Sequence, residues 1–297
     1  VAQPVETLSR AREEFLALVD DIRPELHRYC ARLTGSVIEG EDIVQDTLAK
    51  AFYALSLSPD VPPLRPWLFR IAHNAAIDFL RGHGRKLTET RAELDDVTDD
   101  DDAPDPAIVR AALARFVELP LVQRSAVILK DVLGHSLEEV AATMDTTVLA
   151  VKSALVRGRA KLREAAAGAP APDAQTRARL DRYATLFNAR DWDGLRALVA
   201  SECQLDLVSK SQRKGPAVGM YFGRYEKESV RLAVARLEGR LVLAAFEGDG
   251  ERPSYFILLD WAGDLVAAIR DYRYVRYIAS DADYELLSAP SSPRAPA

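Results

Sequence analysis

Cysteine is nearly absent from this chain. Its two, Cys30 and Cys203, stand far apart with no second Cys or His at ligand spacing, which argues against a zinc site and suits buried thiols. Histidine is as sparse: His27, His73, His83 and His135 all precede the last half of the chain, so a general base there has to be Asp, Glu or Tyr. No apolar run approaches the roughly 18 residues that a spanning helix needs. The opening VAQPVETLSRAREEF lacks the apolar core of a signal peptide. A cytoplasmic protein with no membrane partner, no metal and no cofactor is the expectation, and no internal repeat is found.

What is present is a long, mixed chain. Its 297 residues suggest two or three domains, and 48% hydrophobic with 28% charged residues fits a globular class. The net charge of -6 is misleading for a nucleic-acid binder until the acid is located. Glu93, Asp95, Asp96, Asp99, Asp100, Asp101, Asp102 and Asp105 fall in one segment without Lys or Arg, and the rest of the chain is net basic. Arg65, Arg70, Arg81, Arg85, Lys86 and Arg91 outweigh Asp78 and Glu89 on one side of it. Lys152, Arg157, Arg159, Lys161 and Arg163, with no acid among residues 147–163, lie on the other.

That acidic segment, ELDDVTDDDDAPDP at residues 93–106, repels itself and reads as an extended linker. A second linker, AGAPAPDA, covers 167–174, and residues 289–297 read as a disordered tail. The blocks between are 1–92, 107–166 and 175–288.

Block one reads as helices. In EDIVQDTLAKAFYAL, Ile43, Val44, Leu48, Ala51, Phe52 and Leu55 share one face, while Asp42, Gln45, Asp46, Ala49 and Lys50 share the other. In WLFRIAHNAAIDFLRGHGRK the polar row is Trp67, Arg70, Asn74, Asp78 and Arg81, running on into Arg85 and Lys86. Taken singly, each row suits a solvated face. Block two carries a helix-turn-helix pattern: a Ser136-x-x-Glu139 capping box opens a short helix, and after Asp145-Thr146 a second helix starts near Thr147. Lys152, Ser153, Val156, Arg157, Arg159 and Arg163 form its outer side. The usual turn glycine is missing from the pattern.

In this order the pieces resemble the extracytoplasmic-function class of bacterial RNA polymerase sigma factors, over residues 10–165. The resemblance implies that EDIVQDTLAKAF docks on the beta-prime clamp through Asp42, Gln45 and Asp46. PWLFRIAHNAAIDFLRGHGRK looks like the part of region 2 that melts and reads the -10 element, with Arg65, Trp67, Arg70, Asn74, Arg81, Arg85 and Lys86 toward DNA. LPLVQRSAVILKDVLGHSLEEVAATMDTTVLAVKSALVRGRAKLRE resembles region 4, which reads the -35 element, with Thr147, Lys152, Ser153, Arg157 and Arg159 on its DNA side. The implied partners are core RNA polymerase, through the beta-prime clamp and the beta subunit, and promoter DNA. Met144-Asp145 stand where the family usually has Leu-Gly, so Asp145 has to take the glycine's backbone conformation, and Ala154 stands where many members have Arg.

Block three opens on RARLDRYATLFNARDWDGLRALVA and continues in strands, CQLDLVSK, SVRLAVARL, RLVLAAFEG, SYFILLDWA and LVAAIRDYRYVRYI, with turns at Glu238-Gly239 and Ala262-Gly263-Asp264. It resembles the SnoaL-like, nuclear-transport-factor-like superfamily. The fold class implied is multidomain: an all-α region 2 bundle, an all-α region 4 helix-turn-helix and an α+β cone. Asp206, Tyr221, Asp260, Trp261, Asp271 and Tyr272 are candidate pocket residues. Catalysis, ligand sensing and regulation through intramolecular contact with the sigma regions stay open for this block, the last being favoured. The alternative for the whole chain is a one-component, ligand-responsive DNA-binding regulator.

Overall fold

Apolar residues spaced by three and four close the first block into α1 (Arg23–Thr34), α2 (Val37–Leu57) and α3 (Leu64–Gly82). The computed structural model describes residues 13–57, 62–82, 108, 113–163 and 174–288. Arg85, Lys86 and the acidic linker lie outside the described residues. Helix α1 stops at Gly35, whose φ of 79° lets its N–H return to the Ala31 carbonyl. Gly40 lets α2 lie directly on α1, since a Cβ there would meet the Ala31 nitrogen at 2.6 Å.

The next block supplies α4 (Leu113–Val117), then α5 (Leu121–Val127) continuing as a π turn over Ile128–Val132. Helices α6 (Leu137–Thr143) and α7 (Val148–Arg163) follow. Asp145, at the turn between them, has φ 51°, the left-handed backbone that the missing glycine demanded. Where the sequence divides these helices from the first three by a linker, the structure joins them in one core. Tyr29, Leu33, Phe69, Ala72, Phe116, Leu119, Ile128 and Leu129 belong to a single buried cluster. Arg124 secures the junction: its guanidinium donates to the carbonyl of Leu33 on α1 and, at 2.8 and 2.9 Å, to those of Val117 and Leu119. Phe69 of α3 meets His135 edge-on at 4.7 Å. The chain therefore resolves into two compact units, residues 1–167 and 168–297.

The second unit is α+β. Helices α8 (Ala174–Asn188) and α9 (Trp192–Ala197) precede β1 (Val199–Leu207) and β2 (Ser211–Lys214). A 3-10 turn leads into α10 (Gly219–Tyr225), then come β3 (Val230–Leu237), β4 (Arg240–Glu247), β5 (Tyr255–Ala262) and β6 (Leu265–Asp271). The last elements are α11 (Tyr277–Asp281) and β7 (Tyr284–Leu286). Strand order is β2-β1-β6-β5-β4-β3-β7, parallel only between β1 and β6. The β3–β4 hairpin turns on Glu238 and Gly239, both at positive φ. Register shifts interrupt β1 and β5, and α8 packs on β3 and β4. One strand differs from expectation. LVAAIRDYRYVRYI is a strand only to Asp271, because the next residues turn (Val275 N–H to the Tyr272 carbonyl) and enter α11.

Candidate nucleic-acid interface and buried polar cluster

On α2, the three residues expected to face a partner are unequal. Glu41 is fully buried, takes an ion pair from Arg23 and accepts from Gln45 Nε2 at 3.4 Å, which turns Gln45 partly inward. Asp42 is half-buried; Asp46 is exposed and pairs with Lys50 at 2.7 Å, an i,i+4 link of a few tenths of a kcal/mol at most. The same face continues to Tyr53 and Leu57, 67% and 70% exposed, which the pattern alone did not single out.

Helix α3 separates its two faces cleanly. Leu68, Phe69, Ala72, His73, Ala75, Ala76 and Leu80 are buried, while Arg70, Asn74, Asp78 and Arg81 are exposed in one row. Trp67, at the head of the row, is half-buried and packs on the core. Arg65 is held back toward α1 by Glu25 at 2.7 Å. Beneath the row, His73 Nδ1 and the Tyr29 hydroxyl share a hydrogen bond of 2.7 Å, and burial pulls the imidazole down to about 4, so it sits neutral.

The helix-turn-helix forms as the capping box requires: Glu139 N–H donates to Ser136 Oγ at 3.1 Å and Ser136 N–H to Glu139 Oε2 at 2.8 Å. The Ser136 backbone N–H, above all, holds the Glu139 carboxyl below its ordinary range. Helix α7 begins with Thr147 Oγ1 accepting from Ala150 N–H at 3.2 Å. Its Gly158 permits close packing on α5, because a Cβ would meet Val127 at 2.8 Å. Lys152 and Arg157 are half-exposed and Ser153 is buried. Arg159 gives its Nε and Nη2 to Asp131 at 3.0 and 2.7 Å; Asp131 is buried, so this fork ties α7 to the π turn.

In the second unit, two of the six pocket candidates meet. Asp271, fully buried, accepts from Tyr221 at 3.0 Å, from Tyr225 at 2.8 Å and from the Arg273 N–H at 2.9 Å. Arg273 Nη2 donates to Tyr255 at 3.0 Å and lies against Glu228 at 3.0 Å. Burial raises the Asp271 carboxyl despite these donors and the neighbouring guanidinium. The Tyr255 phenol is pushed up to about 12 by burial, which also raises Tyr221 and Tyr225 well above the ordinary phenol. Asp206 instead pairs with Arg270 across β1 and β6 at 3.6 Å. Asp260 is exposed, Trp261 is half-buried beneath Arg179, and Tyr272 is buried beside Arg270. Tyr225, Tyr255 and Arg273 were missed; the i,i+4 pairing of Tyr221 with Tyr225 was the legible signal. A pocket of about 370 Å³ that shares Glu228 and Arg273 with this cluster is lined also by Arg224, Glu247, Tyr274, Arg276 and Tyr277.

The Sigma-70 region 2 family model matches residues 18–86 and the Sigma-70, region 4 model matches 110–162. The chain is 30% identical over 311 residues to the ECF RNA polymerase sigma factor SigG of Mycobacterium tuberculosis, covering 89% of this chain and 82% of that relative. That similarity extends past the helical unit into the α+β unit. SigW of Bacillus subtilis is 27% identical over 166 residues, covering 52% of this chain and 89% of the relative. Among solved structures, the extracytoplasmic-function sigma factor SigJ of Mycobacterium tuberculosis aligns at a TM-score of 0.36 with 22% identity, over 86% of this chain and 95% of that one.

Proposed function

Because the chain belongs to the ECF family of RNA polymerase sigma factors, whose members bind core polymerase and promoter DNA without catalysing a reaction, we propose how its surfaces divide that work. The outer face of α2, with Asp46 at its centre, Asp42 and Gln45 beside it, docks on the beta-prime clamp. The outer row of α3 opens and reads the -10 element: Asn74 pairs with the edge of an unstacked base, Arg70 and Arg81 hold phosphates, and Trp67 buttresses the head of the row. The outer side of α7 reads the -35 element in the major groove, with Lys152 and Arg157 on phosphates. The observation that carries this reading is the row itself: four exposed polar side chains aligned on one face of a helix whose other face is buried.

The two elements lie about 25 base pairs apart, or about 85 Å of duplex. A compact body of some 150 residues has a radius of gyration of about 15 Å. The shared core held by Arg124 therefore parts when both elements are engaged.

A single purified system tests these assignments. Asp46→Lys is expected to weaken assembly with core polymerase while leaving the fold intact, and Asn74→Ala to reduce permanganate reactivity at one thymine of the melted region. Unchanged core affinity would remove the docking assignment, and normal melting would remove the readout role.

The α+β unit modulates sigma activity and turns over no substrate. Ending the chain near Pro170 keeps the helical unit's own core. It is expected to change transcription in a system free of small molecules. Equal output from both forms, with a small ligand acting on the full chain only, would replace modulation by the domain itself with ligand sensing.

A further inference from the structure

Helix α7 is bordered by basic residues, but the centre of its outer face is not basic. Leu149 and Val156 are 51% and 46% exposed, and Ala160 is exposed beyond them. Spacings of seven and four residues set the three on one line along the helix. Lys152 and Arg163 lie to one side of that line and Arg157 to the other, and no acidic residue occurs from 147 to 163. A single exposed Leu carries no message. Two branched aliphatics two turns apart, inside a cationic border on a helix-turn-helix second helix, form a matched surface.

We propose that Leu149 and Val156 read the 5-methyl groups of thymines in the upstream promoter element. The inference rests on α7 being the major-groove reader. Leu149 occupies the first turn of α7, just after the Thr147 cap, and residues in that part of a recognition helix approach base edges. Its side chain offers neither donor nor acceptor. Among the groups displayed in the major groove, only the thymine methyl gains from apolar contact. Against adenine, guanine or cytosine the same side chain strips water from a polar edge and returns no hydrogen bond. Specificity at these positions thus arises as much from penalising the other bases as from attracting thymine. Seven residues of helix rise about 10.5 Å, roughly three base-pair steps, so the two methyl contacts fall about three pairs apart.

The test removes the methyl alone. Duplexes are first selected from a randomised pool by the full chain with core polymerase, and each thymine of the upstream element is then replaced singly by deoxyuridine. At one or two positions uracil is expected to weaken binding about fourfold, the worth of one buried methyl group. Leu149→Ala should bind the thymine and uracil duplexes alike, with about the unaltered protein's affinity for the uracil form. Val156→Ala should do the same at the second position. Leu149→Met, which keeps an apolar contact, should retain part of the discrimination. A selected element without thymine, equal binding of thymine and uracil, or discrimination that survives both alanine variants would overturn the proposal. So would a Leu149→Ala protein that loses affinity for core polymerase but still discriminates, since the aliphatic line would then be a protein contact. Lys152→Ala and Arg157→Ala report on the underlying reading: they should weaken all duplexes and lower the salt dependence, and if they change neither, α7 does not face DNA at all.

Discussion

Two parts of this molecule gather similar chemistry and use it in opposite ways. On α3, Trp67, Arg70, Asn74, Asp78 and Arg81 bring an aromatic, a carboxylate, an amide and two guanidinium groups to one exposed face. In the α+β unit, Tyr221, Tyr225, Tyr255, Asp271 and Arg273 bring nearly the same groups together out of water. The outer row keeps its hydrogen-bonding capacity open, because water satisfies it at little cost. The inner cluster has spent that capacity on itself: each hydroxyl and the carboxylate are bonded within it, and a break strands a buried charge. Like residues thus leave an open polar face in one place and make a keystone in the other, and exposure decides which.

The comparison breaks most easily at Asp271. Asp271→Ala leaves the buried Tyr221 and Tyr225 hydroxyls without their acceptor and Arg273 with Glu228 alone, and is expected to cost the α+β unit about 3–5 kcal/mol, roughly 10–20 °C in its unfolding transition by calorimetry. Asp271→Asn, which keeps an acceptor for the tyrosines, should cost less. An unchanged transition together with altered small-molecule binding would make the cluster a ligand site and dissolve the contrast.

A smaller effect sharpens the contrast within α3. His73 points inward beside the outward Asn74, and its folded value of about 4 lies below the ordinary 6.5. The unfolded chain therefore takes up the proton first, so this group's contribution to stability is complete above about 6.5 and is lost as pH falls toward 4. The slope is at most about 1.4 kcal/mol per pH unit across that window. Unfolding of the helical unit followed by near-ultraviolet dichroism from pH 7 to 4.5 should show it, and His73→Gln should flatten it. Equal slopes in both proteins would mean that His73 is not the group responsible.

Much of this was legible beforehand, for reasons that are local. The capping box of Ser136 and Glu139, the Glu238-Gly239 turn and the left-handed Asp145 follow from backbone chemistry within a few residues. The outer row of α3 follows from helical periodicity. Arg159 did not read correctly as a residue on a free basic face, because its partner Asp131 lies 28 residues earlier and periodicity carries no information about it. Asp206, Asp260 and Tyr272 failed to join Tyr221 and Asp271 for a related reason: strand alternation says that faces differ, but not which face meets α10.

The sequence by itself determined most of the element types, the capped and turned positions and the basic and acidic segregation along the chain, since each depends on neighbours within one or two turns. Only the tertiary structure decided that α1–α3 and α4–α7 share one core through Arg124, that Asp271 takes its bonds from Tyr221, Tyr225 and the Arg273 backbone, and that Leu149 and Val156 stay in water. These are outcomes of which surfaces meet, and the free energy of burial depends on partners brought together from distant parts of the chain.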